Sequence, residues 1–159
     1  MSLRNVMALG AALALLSCGG SSGGGGGACS FTLTGGVSKT VACASAIAAP
    51  ASGGWGLAIV GTGLTSPESL VVGAVFTGSS TPANGTYTLA TAQSATGIIY
   101  TDSTGSKAWG ATGGGGGSLS VTITGSTATG GGWIVHGSLT ATMPVLTGGG
   151  APINATATF

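Results

Sequence analysis

Residues 118–124 read SLSVTIT, and hydroxylated and aliphatic side chains alternate through all seven positions. Successive residues of a strand point to opposite faces, so this pattern puts Leu119, Val121 and Ile123 on one side. The serines and threonines take the other side. On a helix the same residues would scatter around the axis and no apolar stripe would form. The β-branched content points the same way. Glycine runs at 113–117 and 130–132 bracket the segment and mark its turns.

Outward from this strand the pattern recurs. In WIVHGSLTATM (133–143), Trp133, Val135, Leu139, Ala141 and Met143 share a face. His136 falls on the other, with Ser138, Thr140 and Thr142. INATATF (153–159) aligns Ile153, Ala155, Ala157 and Phe159, and GTYTLA (85–90) aligns Tyr87 with Leu89. WGLAIVGT (55–62), SLVVGAVFTG (69–78) and GIIYT (97–101) are more continuously apolar. They read as central strands with both faces covered, or with an outer face meeting a loop. Ser66-Pro67-Glu68, Pro82-Ala83-Asn84-Gly85 and Asp102-Ser103-Thr104-Gly105 supply turns, the last a hairpin between GIIYT and KAWGAT (107–112). Nine or ten short strands at this spacing predict an all-β domain over residues 29–159. The expected form is an antiparallel β-sandwich, jelly-roll-like, with one core.

Thr-x-Thr triplets start at 32, 86, 122, 127, 140 and 156. A regular ladder of them would indicate a β-solenoid, but these intervals have no period. The triplets read as the solvated faces of ordinary strands.

The composition is unusual in charge. Of 159 residues 34 are Gly, and only 3% are charged, against roughly 25% in an average chain. Arg4, Lys39, Glu68, Asp102 and Lys107 are the only formal charges. Beyond Arg4 the chain is neutral. That excludes a phosphate-neutralising nucleic-acid surface and polybasic attachment to anionic lipid.

Ahead of the domain, residues 1–5 carry one positive charge and Val6–Leu16 is apolar, as in the first two regions of a secretory signal. The apolar run falls short of the roughly 20 residues that span a bilayer. Leu15-Leu16-Ser17-Cys18 closes it. This stretch resembles the lipobox of bacterial lipoproteins: aliphatic, permissive, small, then cysteine. The resemblance implies a signal peptide over 1–17, cleavage before Cys18 and lipidation of its thiol. The alternative is an ordinary signal cut elsewhere, with Cys18 free or paired. Several acyl chains on one cysteine would anchor the protein stably. Gly19 stands where inner-membrane retention favours Asp, which by the same resemblance points to the outer membrane of a bacterial envelope. Residues 18–28 then form the lipidated cysteine and a Gly/Ser tether; its nine-residue core, 19–27, has an expected reach of roughly 15–18 Å.

If Cys18 takes lipid, Cys29 and Cys43 remain as a pair in an oxidising compartment. In CSFTLT (29–34) and KTVACAS (39–45) both point with the apolar residues of their strands. They lack the CxxC spacing and nearby His of a redox or metal site, so a disulfide is expected.

The body is also similar to a family of uncharacterised predicted lipoproteins of myxobacteria and their relatives. The similarity rests on the order of CSFTLTGGVSKTVAC, NGTYTL, KAWGAT, GSLSVTIT, VHGSLTATMP and ATATF along the chain. It implies a small exported β-domain with a cysteine pair and no assigned activity.

No residue set rises to a catalytic motif. His136 and Asp102 are the only histidine and aspartate, and no GxSxG serine elbow accompanies them. Glu68 and Asp102 stand in separate turns, a poor basis for glycoside hydrolysis or calcium binding. No cofactor or metal is implied. Among Trp55, Trp109, Trp133, Tyr87 and Tyr100, Trp109 is expected to be partly exposed, beside Lys107 and a glycine-rich loop, and is the candidate ligand-binding residue. The sequence therefore favours a non-catalytic envelope lipoprotein with a structural or interaction role and an envelope-protein or glycan partner. A weak carbohydrate- or polymer-binding module comes second and an exported hydrolase third.

Overall fold

The computed structural model describes residues 29–89, 97–114 and 116–159. The expected signal peptide, Cys18 and the tether lie outside them. Among the described residues twelve strands are formed and every pairing is antiparallel. They are β1 (Ser30–Gly35), β2 (Lys39–Ala42), β3 (Ile47–Ala51), β4 (Gly54–Val60), β5 (Ser69–Thr77) and β6 (Gly85–Thr88). Then come β7 (Gly97–Thr101), β8 (Ala108–Thr112), β9 (Ser118–Thr129), β10 (Gly132–Met143), β11 (Val145–Thr147) and β12 (Ile153–Thr158). The nine or ten strands expected from alternating and continuously apolar runs are present. The two additions, β3 and β11, carry no alternation signal: β3 is IAAPA, with a proline, and β11 has three residues.

The hydrogen-bonded order is β11-β8-β7-β5-β4-β3-β10-β12-β1-β2, with β9 on the other side of β10 and β6 beyond β9. This one sheet bends into two layers. One is β6-β9-β10-β12-β1-β2 and the other β3-β4-β5-β7-β8-β11, joined where Trp133 and Ile134 pair with Ala48 and Ile47. The corner has a local cause. His136 pairs with Gly125 but Gly137 pairs with Ile123, so Thr124 has no opposite number. Such a bulge bends and twists a hairpin, letting β9 and β10 pass from one layer to the other. Glycine is required at this point, since a Cβ on Gly137 would lie 2.0 Å from the Thr122 carbonyl oxygen.

The layers close on a single core. Phe31, Leu33, Val121, Ile123, Leu139 and Met143 come from the first layer; Trp55, Leu57, Ile59, Leu70, Val72 and Phe76 come from the second. Each is the inward half of an alternating strand, so burial of apolar area drives the layers together. Tyr87 of β6 reaches across, with its ring 5.1 Å from Trp55 and 5.0 Å from Phe76. The protein is thus an all-β, sandwich-like single domain.

The two outward faces differ in chemistry. On the first layer the register sets Thr88, Ser120, Thr140, Thr156, Thr32 and Thr40 side by side across six strands. Five of the six Thr-x-Thr triplets therefore lie in this layer, although their sequence spacing has no period; the sixth, 127–129, is on the part of β9 beyond the bulge. On the second layer the outward row Ile134, Ile47, Ala58, Gly73, Gly97 is apolar until it ends at Thr112, the next, Val60, Val71, Ile99, is aliphatic, and the pair Ser69 and Thr101 lies beyond it.

Candidate functional site

The cysteine pair forms. Cys29 and Cys43 are disulfide-bonded, with Cα atoms 5.1 Å apart and a sequence separation of 14. Both are half-buried against the core. Their placement follows from the β1–β2 hairpin: Ser30 pairs with Ala42, so the residues just beyond meet, and Cys43 N donates to Cys29 O at 3.0 Å. Cys43 also bridges to Gly61, and Ala44 N donates to Val60 O at 2.9 Å. The disulfide thus fixes the start of β1 against the end of β4. Cys18, the lipidation candidate, lies outside the described residues.

Trp109 is not the exposed aromatic that its neighbours suggest. It is 2% exposed, its ring stacks on Tyr100 at 5.8 Å, and its Nε1 donates to the Ala151 carbonyl at 2.9 Å. The reason is alternation. In β8 Trp109 and Ala111 face inward, whereas Lys107 lies one residue before the strand begins. Trp55 and Tyr100 are buried as well, and Trp133 is half-buried against the core. None of these four rings is part of an open stacking platform. Trp55 Nε1 is fully buried without a hydrogen-bond partner among the described residues, and its ring packs edge-on to Tyr87.

The one buried charge among the described residues was not legible as such. Glu68 is 8% exposed, yet its Oε1 accepts from Lys39 Nζ at 2.6 Å and from the Tyr100 hydroxyl at 2.6 Å. The hydrogen bond from Lys39, followed by that from Tyr100, holds its carboxyl below the ordinary glutamate range, against the opposing cost of burial. Burial, then the bond to Glu68, pushes the Tyr100 hydroxyl above its ordinary value. At neutral pH this leaves a committed carboxylate and a committed phenol. The set ties the loop before β5 to β2 and β7.

Asp102 serves its own turn. Thr104 Oγ1 donates to its carboxylate at 2.9 Å, Lys107 N donates to Oδ1 at 3.2 Å, and Gly105 N donates to its carbonyl at 3.0 Å. Gly105 takes φ +70°, which completes the β7–β8 hairpin as expected. His136 sits half-buried on the outward side of the β9–β10 corner, and Thr124 Oγ1 donates to its backbone carbonyl at 3.3 Å. Among the described residues no three His, Cys, Asp or Glu side chains gather as a metal site would require. No known protein family, no curated protein and no solved structure matches the chain.

Proposed function

We propose that the chain is an exported bacterial lipoprotein. Its β-sandwich serves a non-catalytic structural or interaction role at the outer membrane, anchored by acyl chains on Cys18. The observation that carries this reading is the pairing of Cys29 with Cys43. Of three cysteines, it leaves Cys18 as the odd one, at the end of an apolar leader and in a lipobox-like context. A disulfide also fits the oxidising space that such a leader implies. The test is metabolic labelling with an alkyne palmitate, followed by membrane fractionation. The wild-type protein takes label and sediments with membranes. Cys18→Ser loses the label, and its body stays soluble. Label retained in Cys18→Ser, or membrane association unchanged in a correctly exported variant, would overturn the proposal.

A further inference from the structure

The three large hydrophobic side chains exposed among the described residues are Ile47 (40%), Ile134 (38%) and Leu146 (38%). All three stand on the outward face of the second layer. Ile47 and Ile134 are direct cross-strand partners at its β3–β10 edge. Leu146 lies at the opposite edge, where its Cδ1 covers outward-facing Gly110; a Cβ there would sit 2.8 Å from it. Between these edges run Ala58, Gly73, Val60, Val71 and Ile99, an uncharged aliphatic centre whose hydroxylated side chains stand at its margins, Thr112 at the β8 end of one row and the Ser69–Thr101 pair beyond the other. The four charged residues of the domain are elsewhere: Lys39 and Glu68 bond to each other, and Asp102 and Lys107 belong to the β7–β8 turn. A contiguous apolar face of this breadth marks an interaction surface. The other layer shows water a lattice of Thr and Ser, so the asymmetry belongs to one face and not to the composition.

We infer that this face lies on the lipid bilayer, seated at the boundary between headgroups and acyl chains, with the hydroxylated layer turned to water. The inference rests on the lipid anchor proposed above. What selects the bilayer over a protein partner is where the anchor joins the body. The chain enters at Cys29, which the disulfide holds to Cys43, and Cys43 bridges to Gly61, the residue after Val60. The tether is thus attached at the end of the Val60–Val71–Ile99 row. The nine residues 19–27 have an expected reach of roughly 15–18 Å, so the face is held within contact range of the membrane that holds Cys18. Tethering makes even a weak apolar contact intramolecular, with a high effective concentration. A neutral face suits this arrangement, since it has no charge to remove from water.

The experiment uses the full lipidated chain in phosphatidylethanolamine–phosphatidylglycerol vesicles. With Cys18 acylated and Cys29–Cys43 oxidised, a cysteine introduced at Ile134→Cys or Thr156→Cys is the single free thiol for a nitroxide label. Power saturation then compares access by oxygen, which concentrates in the hydrocarbon, with access by a water-soluble nickel chelate. The expected result is oxygen access several-fold above nickel access at 134, and the reverse at 156. Both labels open to nickel on vesicle-bound protein would overturn the inference and leave the anchor standing. A label at 134 shielded from both reagents would replace the bilayer with a second copy of the chain. Protein that fails to associate with vesicles would remove the anchor and this inference together.

Discussion

At the scale of single residues, Glu68 shows how far a side chain can depart from the expectation of its type. Between Pro67 and β5 it reads as a solvated turn residue. The fold instead buries it and supplies two donors from β2 and β7, at sequence distances of 29 and 32. No local pattern could reveal partners so remote. Trp109 departs from its expected exposure for a related reason: Lys107 and the glycines describe the turn, whereas Trp109 already obeys the strand. Glu68 has a pH consequence. Its folded-state pKa is depressed, so its stabilisation is present above the unfolded carboxylate's value, about 4.3, and is lost as pH falls below it. Glu68→Gln should unfold at lower denaturant than the wild type at pH 7, and the gap should narrow towards pH 3. A gap unchanged over that range would show that the carboxylate's charge is irrelevant. Lys39→Ala leaves Glu68 with the tyrosine alone and should cost about 1–3 kcal/mol in the same titration at pH 7. No loss would mean that the half-exposed ammonium contributes nothing.

At the scale of elements, alternation carried most of the information. SLSVTIT, WIVHGSLTATM and INATATF became β9, β10 and β12 with the expected faces inward. The strand β9 runs five residues further than its alternating core, through Gly125–Thr129. That extension is held by pairing with β10 and not by burial, so its sequence is polar and gives no apolar signal. The short β3 and β11 give no signal for a different reason: IAAPA and VLT are apolar but too short or too irregular to alternate, and pairing with β4 and β10, or with β8, sets them. The cysteine pair was legible because both residues share faces with core side chains in strands joined by a short hairpin. Replacing both by serine opens a loop of 14 residues and should lower stability by about 3 kcal/mol in a denaturant titration. An unchanged midpoint would place the strength of the β1–β2 hairpin elsewhere, in the strand pairing with β12.

At the scale of the whole molecule, the sequence conveyed the class of fold but not the division of its surface. A Thr-x-Thr search along the chain finds no period. The antiparallel register nevertheless sets five of the six triplets in one layer, because hairpins reverse direction and erase the interval. The aliphatic outer rows of β4, β5 and β7 read as strands covered on both sides or with an outer face meeting a loop. In the folded domain one side meets the core and the other is the apolar face bounded by Ile134, Ile47 and Leu146. A neutral sandwich with one wet face and one apolar face gains its meaning from where it is held, so the account depends on Cys18. The most direct measurement is the mass of the N-terminal peptide of the mature protein isolated from the envelope. The account predicts that the chain begins at Cys18, that this residue carries acyl chains, and that Cys29 and Cys43 appear together in a disulfide-linked peptide. A mature chain that begins elsewhere, or Cys18 recovered as an unmodified thiol, would contradict it.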